Sequence, residues 1–301
     1  MENNNNTTEF IKARTAGKTL SDGIAFFFSN FKSICFSLQF LSLVALFGCL
    51  NAVGILFVDD SSIAAQIVHC AIVLVMLFVI CLRDGYCVRV FQERVKLGYV
   101  PRLKMKTIGA TVRTGLKSLL FVVAVCIPLA VVMLLVGASG FYLFGGPLTD
   151  AESSVTNLVV LGVLVLLLLI VGILLSVPVY FSYCDYMLAA TLEKPSGLFR
   201  AVKYGFTKGF SKWGRIFPVV FVCGLISLLL CALLFLANTS YYLSVAEMNK
   251  SIALGEEAFI PGGIKVFYSL FGFVQTFVMF GVNMALSFPL MLIYSAMRRE
   301  E

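Results

Sequence analysis

Charge is what this chain has least of. Only 13% of its 301 residues are charged, while 60% are hydrophobic. Ordinary soluble domains carry about 25% charged and about 45–50% apolar residues. Histidine and tryptophan each occur once. One histidine leaves no histidine cluster for a metal, and neither a metal nor any other cofactor is expected. The nine cysteines include no Cys-x-x-Cys pair. They fall inside or at the ends of apolar segments, which fits small packing residues better than disulfides or zinc ligands.

What the chain has instead is long uncharged runs: 33–58, 61–82, 118–149, 155–184, 216–246 and 266–297. A bilayer core takes roughly 20 apolar residues per helix, so each run is long enough to cross. Barrel strands would alternate with period two, and these runs do not. The spacing predicts six transmembrane helices. Lys12, Arg14, Lys18 and Lys32 precede the first run. Nine lysines and arginines from Arg83 to Lys117 separate the second and third, and six from Lys194 to Arg215 separate the fourth and fifth. Arg298 and Arg299 follow the sixth, and the opposite side holds only Lys250 and Lys265. Positive charge stays inside during insertion, so both termini are expected in the cytoplasm of a multi-pass protein of the bacterial inner membrane. No cleavable signal peptide is expected. The net charge of +7 then marks topology and anionic lipid, and nucleic acid is not an expected partner.

Between runs the pattern changes to helical amphipathicity. Phe199, Val202, Phe206, Phe210, Trp213 and Phe217 share one face by their spacing of three and four. The stripe recurs 94 residues earlier at Met105, Ile108, Val112, Leu116, Leu119 and Val123, where Gly115 takes the place of Gly209. It recurs 179 residues earlier at Leu20, Gly23, Phe27, Phe31, Ile34 and Leu38. "LSVP" at Leu175–Pro178 is echoed by "LSFP" at Leu286–Pro289. The expected fold is an all-α polytopic membrane protein. Its six transmembrane helices form three hairpins, each preceded by a cytoplasmic amphipathic helix. Its expected segments are a disordered tail 1–16, one membrane domain 17–297 with approximate repeats 17–98, 99–192 and 193–297, and a tail 298–301. Thr19 and Asp22 read as the capping pair of the first amphipathic helix.

The stretch from Tyr183 to Phe217 has an acidic residue after a run (Asp185), a turn at Glu193–Gly197, a Gly209–Phe210 pair and Trp213. In this it resembles stand-alone bacterial six-span proteins similar to the membrane region of glycerophosphodiester phosphodiesterases. The resemblance extends over most of 20–297 and implies architecture. It implies no phosphodiesterase activity, because the catalytic barrel is absent.

Candidate functional residues follow from position. Lys203, Lys208, Lys212, Trp213 and Arg215 read as an interfacial lipid-binding set, worth about 1 kcal/mol per basic residue near anionic lipid. Gln39, Asn51, Gln275 and Asn283 are polar groups inside the runs, suited to interhelical hydrogen bonds or to lining a solute path. Asp84 and Asp185 are interfacial acids expected to pair with nearby lysine or arginine. Ser139 and His69 form the one nucleophile–base combination. The reading favoured is a non-enzymatic protein with no catalytic residues, binding membrane lipid or a protein partner, a second copy of the chain included, through its amphipathic helices. The alternatives are a transporter or channel for an uncharged or amphipathic solute and, more remotely, an intramembrane serine protease.

Overall fold

The computed structural model describes residues 15–56, 62–145, 153–192, 197–255 and 260–299. They form helices, with no strand among the described residues. In chain order these are α1 (Ala16–Ser29), α2 (Phe31–Cys35), α3 (Leu38–Leu56), α4 (Ile63–Leu97), α5 (Ile108–Phe121), α6 (Ile127–Gly145), α7 (Ser153–Leu188), α8 (Leu198–Ser211), α9 (Trp213–Ala237), α10 (Thr239–Ala253) and α11 (Gly262–Arg299). Six helical stretches are long and apolar enough to cross a membrane: α3, α4, the stretch Met105–Ala138, α7, α9 and α11.

Local chemistry sets the ends. The first run was expected to be helical from residue 33, but the chain breaks at Phe36–Ser37. The hydroxyl of Ser37 accepts the Phe40 N–H at 3.2 Å and so caps α3. Thr15, rather than Thr19, caps α1: its Oγ1 accepts the Lys18 N–H. Thr19 lies one turn inside the helix and donates to the Thr15 carbonyl at 3.0 Å, so the expected capping pair with Asp22 is not the start of the helix. Ser62 caps α4, which runs on to Gly98. There φ is 77°, a left-handed conformation that glycine adopts without the clash of a Cβ. The fifth run ends as a helix at Ala237, and α10 follows as a separate element. Pro128 removes a helix hydrogen bond, and the backbone just before it widens into a π turn over Val122–Cys126.

The chain gathers into two compact units, Met1–Leu116 with Phe221–Glu301 and Lys117–Val220. In the first, α11 is the central element and packs along α3 and α1. Its 38 residues would measure about 57 Å, far beyond a ~30 Å hydrocarbon core. The half nearer Gly262 presents Val266, Phe267, Leu270 and Val274 outward, whereas nearly every residue from Phe280 to Met297 is buried or half-buried. Phe288 lies edge-on to Phe26 at 4.9 Å, and Phe280 to Phe47 at 5.3 Å. Helix α4 shows the same gradient: Ile63, Ile67 and Leu74 are exposed, while Tyr86, Cys87, Val88 and Phe91 are buried. In the second unit α7 repeats it, with Leu166 and Leu169 exposed and Val177, Phe181 and Cys184 buried. Tight packing is thus concentrated toward the C-terminal end of each of these helices, which in α4 and α11 also carries the arginines.

Candidate lipid interface

Three of the short helices, α1, α5 and α8, each meet a long one through a glycine. A Cβ on Gly23 would fall 2.5–2.6 Å from ring and backbone atoms of Pro289. One on Gly115 would fall 2.7 Å from Leu82 Cδ2 and 3.0 Å from its Cα, and one on Gly85 would meet the Gly115 backbone. One on Gly209 would fall 2.9 Å from the Pro178 Cα, and one on Gly205 would fall 2.5 Å from the Ser182 nitrogen. So α1 rests on α11, α5 on α4, and α8 on α7. Backbones approach this closely only where side chains are absent, and the gain is van der Waals contact.

These contacts show which face of each short helix is packed. In α8 the buried residues are Ala201, Gly205 and Gly209. In α5, Thr111 and Gly115 are buried. The large apolar stripe points elsewhere: Phe199 is 89% exposed and Phe210 49%, and Met105, Ile108 and Leu116 are also exposed. Only in α1 do stripe residues enter the core, as Gly23 and Phe27. The physical reason is that the smallest residues permit the closest helix approach, and the aromatic face is left for whatever surrounds the molecule.

Two apolar grooves lie beside these faces. In the second unit, Phe199, Val202 and Phe206 of α8 face Val125, Pro128 and Val132 across a groove of about 410 Å³. In the first unit, Phe27, Phe28, Phe31, Ile226, Val278 and Val282 line one of about 380 Å³. Both volumes fall in the roughly 300–1,000 Å³ range of small-molecule sites.

The expected lipid-binding set is divided by the structure. Lys203 is exposed, as is Arg200. Lys208, Lys212 and Arg215 are half-buried and make further interactions within the chain. Trp213 stacks on Phe217 at 4.0 Å, and its buried indole N–H has no acceptor among the described residues. The set is therefore one exposed cation next to a partly packed belt, and Arg200 was missed. The signal for Arg200 was its place beside Phe199 on a helix without acidic residues.

The amides expected inside the membrane differ from one another. Gln39 is buried and fully engaged, donating to the Lys104 carbonyl at 2.6 Å and Thr107 Oγ1 at 2.9 Å while accepting from Thr111 at 2.8 Å. Asn283 donates to the Met279 carbonyl of its own helix at 2.9 Å. The Asn51 amide nitrogen lies where a Cβ on Gly272 would come within 2.5 Å. Gln275 buries its amide nitrogen with no partner among the described residues. Asp84 pairs with Arg83, whose Nε donates at 3.0 Å, and the Arg83 guanidinium lies over the Phe280 ring at 5.4 Å. Asp185 is fully buried and makes an interaction within the chain. Both ring nitrogens of His69 face main-chain carbonyls, Ala65 at 3.0 Å and Gly54 at 3.2 Å. The ring thereby ties α4 to α3. The side chain of Ser139 lies outside the described residues, as do Glu193 and Pro195. Among the described residues no cluster of metal-ligating groups occurs.

These features define the class: a multi-pass helical membrane protein. No protein-family model, curated protein or solved structure matches the chain.

Proposed function

We propose that this chain is a non-enzymatic protein of the bacterial cytoplasmic membrane that binds anionic lipid through its short boundary helices, with both termini cytoplasmic. One observation carries the reading. Helix α8 docks through its small residues and leaves an aromatic face outward beside basic residues, with Phe199 89% exposed and Arg200 and Lys203 exposed next to it. An aromatic face flanked by cations suits the boundary between acyl chains and phosphates.

Three hairpins and a threefold internal repeat are part of the proposal. Support comes from the order of the glycine contacts. Helix α5 rests on the membrane helix before it, α8 does the same, and α1 closes the series by resting on the last one. The resemblance to the membrane region of glycerophosphodiester phosphodiesterases is kept as a proposal of shared architecture.

The test is lipid retention. Purified protein with Lys203, Lys208, Lys212 and Arg215 changed to glutamine should lose co-purifying anionic lipid, measured by mass spectrometry against zwitterionic lipid. Retention equal to that of the unaltered chain would reject the reading.

A further inference from the structure

We infer that the groove between α8 and the stretch around Pro128 seats one acyl chain of an anionic phospholipid, with the phosphate held by Arg200 and Lys203. This rests on the lipid-binding reading above and specifies its site. Three observations carry it.

The first is placement of charge. On a helix of 100° per residue, Lys203 lies four residues after Phe199 and three before Phe206, both of which line the groove. It therefore stands on the rim between two lining phenylalanines. Helix α8 has no acidic residue, and the exposed Lys203 at the rim, with the exposed Arg200 next to Phe199, supplies a charge that complements a phosphate diester. The second is chemistry. The groove is lined by aliphatic, proline and phenylalanine side chains, which suits a hydrocarbon chain and offers a solute no polar side chain. The third is recurrence. The other groove contains Ile226 where this one contains Val132. Those residues stand 94 residues apart, the same separation as Gly115 and Gly209. Each groove pairs the phenylalanine face of a short helix with the corresponding position of a membrane-crossing helix.

The experiment uses the full chain in a neutral detergent, titrated with phosphatidylglycerol bearing long acyl chains or a short-chain analogue, with bound lipid counted by native mass spectrometry. Val132→Phe fills the groove. Val132 is 54% exposed, so the larger ring displaces no packed neighbour. Leu134→Phe, at a site 72% exposed and outside the groove, is the control. The expected result is a loss of about tenfold in apparent affinity for Val132→Phe, the scale of two methylenes denied burial. No loss is expected for Leu134→Phe, and the short-chain analogue should bind weakly to every form. Arg200→Gln with Lys203→Gln should reduce the preference for phosphatidylglycerol over phosphatidylcholine. Unchanged binding in Val132→Phe overturns the groove, whatever the charge variant does. Loss in Val132→Phe with headgroup preference intact in the charge variant keeps the acyl site and overturns the assignment of the phosphate to Arg200 and Lys203. If the four-residue glutamine variant loses its lipid while Val132→Phe does not, lipid binding survives and its location in this groove does not. Phe199→Ala, which removes an exposed ring from the rim, should weaken binding in the same direction as Val132→Phe.

Discussion

Gly205→Ala adds one methyl group to α8 and should destabilise the unit formed by Lys117–Val220. The new Cβ would meet the Ser182 hydroxyl and fall 2.5 Å from the Ser182 nitrogen and 2.6 Å from its Cα. The hydroxyl can rotate away, but the backbone atoms cannot. Carbon atoms prefer about 3.5–4.0 Å, so α8 and α7 must separate by about 1 Å. Overpacking of this kind costs about 1–3 kcal/mol. Alanine also favours the helix by about 1 kcal/mol over glycine, which hides part of the cost. Gly224→Ala removes that ambiguity. Gly224 is also helical and has nothing within 4 Å of its would-be Cβ, so the propensity gain is common to both variants. The difference between them is then the contact alone, about 1–3 kcal/mol. Thermal unfolding in detergent micelles should place Gly205→Ala below the unaltered chain or level with it, and Gly224→Ala level with it or above. The stack of Phe181 on Tyr204, at 5.8 Å, should loosen only in the first. Equal midpoints for the two variants would refute the backbone contact between α8 and α7.

Two further outcomes follow from buried polar groups. Gln39→Leu removes the acceptor of the buried Thr111 hydroxyl, while the Lys104 carbonyl still accepts from the Thr107 hydroxyl. An unmade buried hydrogen bond costs about 1–3 kcal/mol, so a lowered midpoint with unchanged helical circular dichroism is expected. Burial pushes the Cys35 thiol up to about 12, whereas an unfolded thiol ionises near ~8.5. The folded state therefore keeps its proton while the unfolded state loses it, and stability falls as pH rises above that lower value. Cys35→Ser should flatten this decline, and peptide mapping after maleimide treatment at pH 8 should find Cys35 unmodified until the chain is unfolded.

Much of the architecture was legible because the bilayer imposes a simple rule. Runs without charge and longer than a hydrocarbon core favour helices, and each of the six contains a described helix long and apolar enough to cross. Helix ends were harder to read. Nothing in the apolar run distinguishes Ser37 as a cap from any other serine, yet it moves the start of α3 to Leu38. The buried basic-end segments, such as Tyr86–Phe91 and Phe280–Met297, read as membrane or loop because hydropathy does not separate lipid from protein surroundings. Gln39 was recognised as an intramembrane polar group. Its partners, 65–72 residues away, depend on a helix contact that spacing does not reveal.

The faces of the short helices show what periodicity alone leaves open. A stripe of large apolar residues suits lipid or the ends of other helices equally, and removing it from water would contribute at most on the order of 10 kcal/mol. At a membrane boundary the surroundings are themselves apolar, and a phenylalanine gains little by turning inward. Close approach of backbones then decides, and it favours the smallest residues. Once the packing face is taken as the glycine face, the register of the first segment in the proposed repeat also changes. Aligning stripes sets α1 179 residues before α8, whereas aligning Gly23 with Gly209 sets it 186 residues before. The two registers differ by seven residues, nearly two helical turns, so an apolar stripe fits both. The buried glycines do not: in the second register buried Thr19 and Gly23 fall on Gly205 and Gly209, as Thr111 and Gly115 already do, and Gly23 and Gly209 each rest on the proline of an LS-x-P segment.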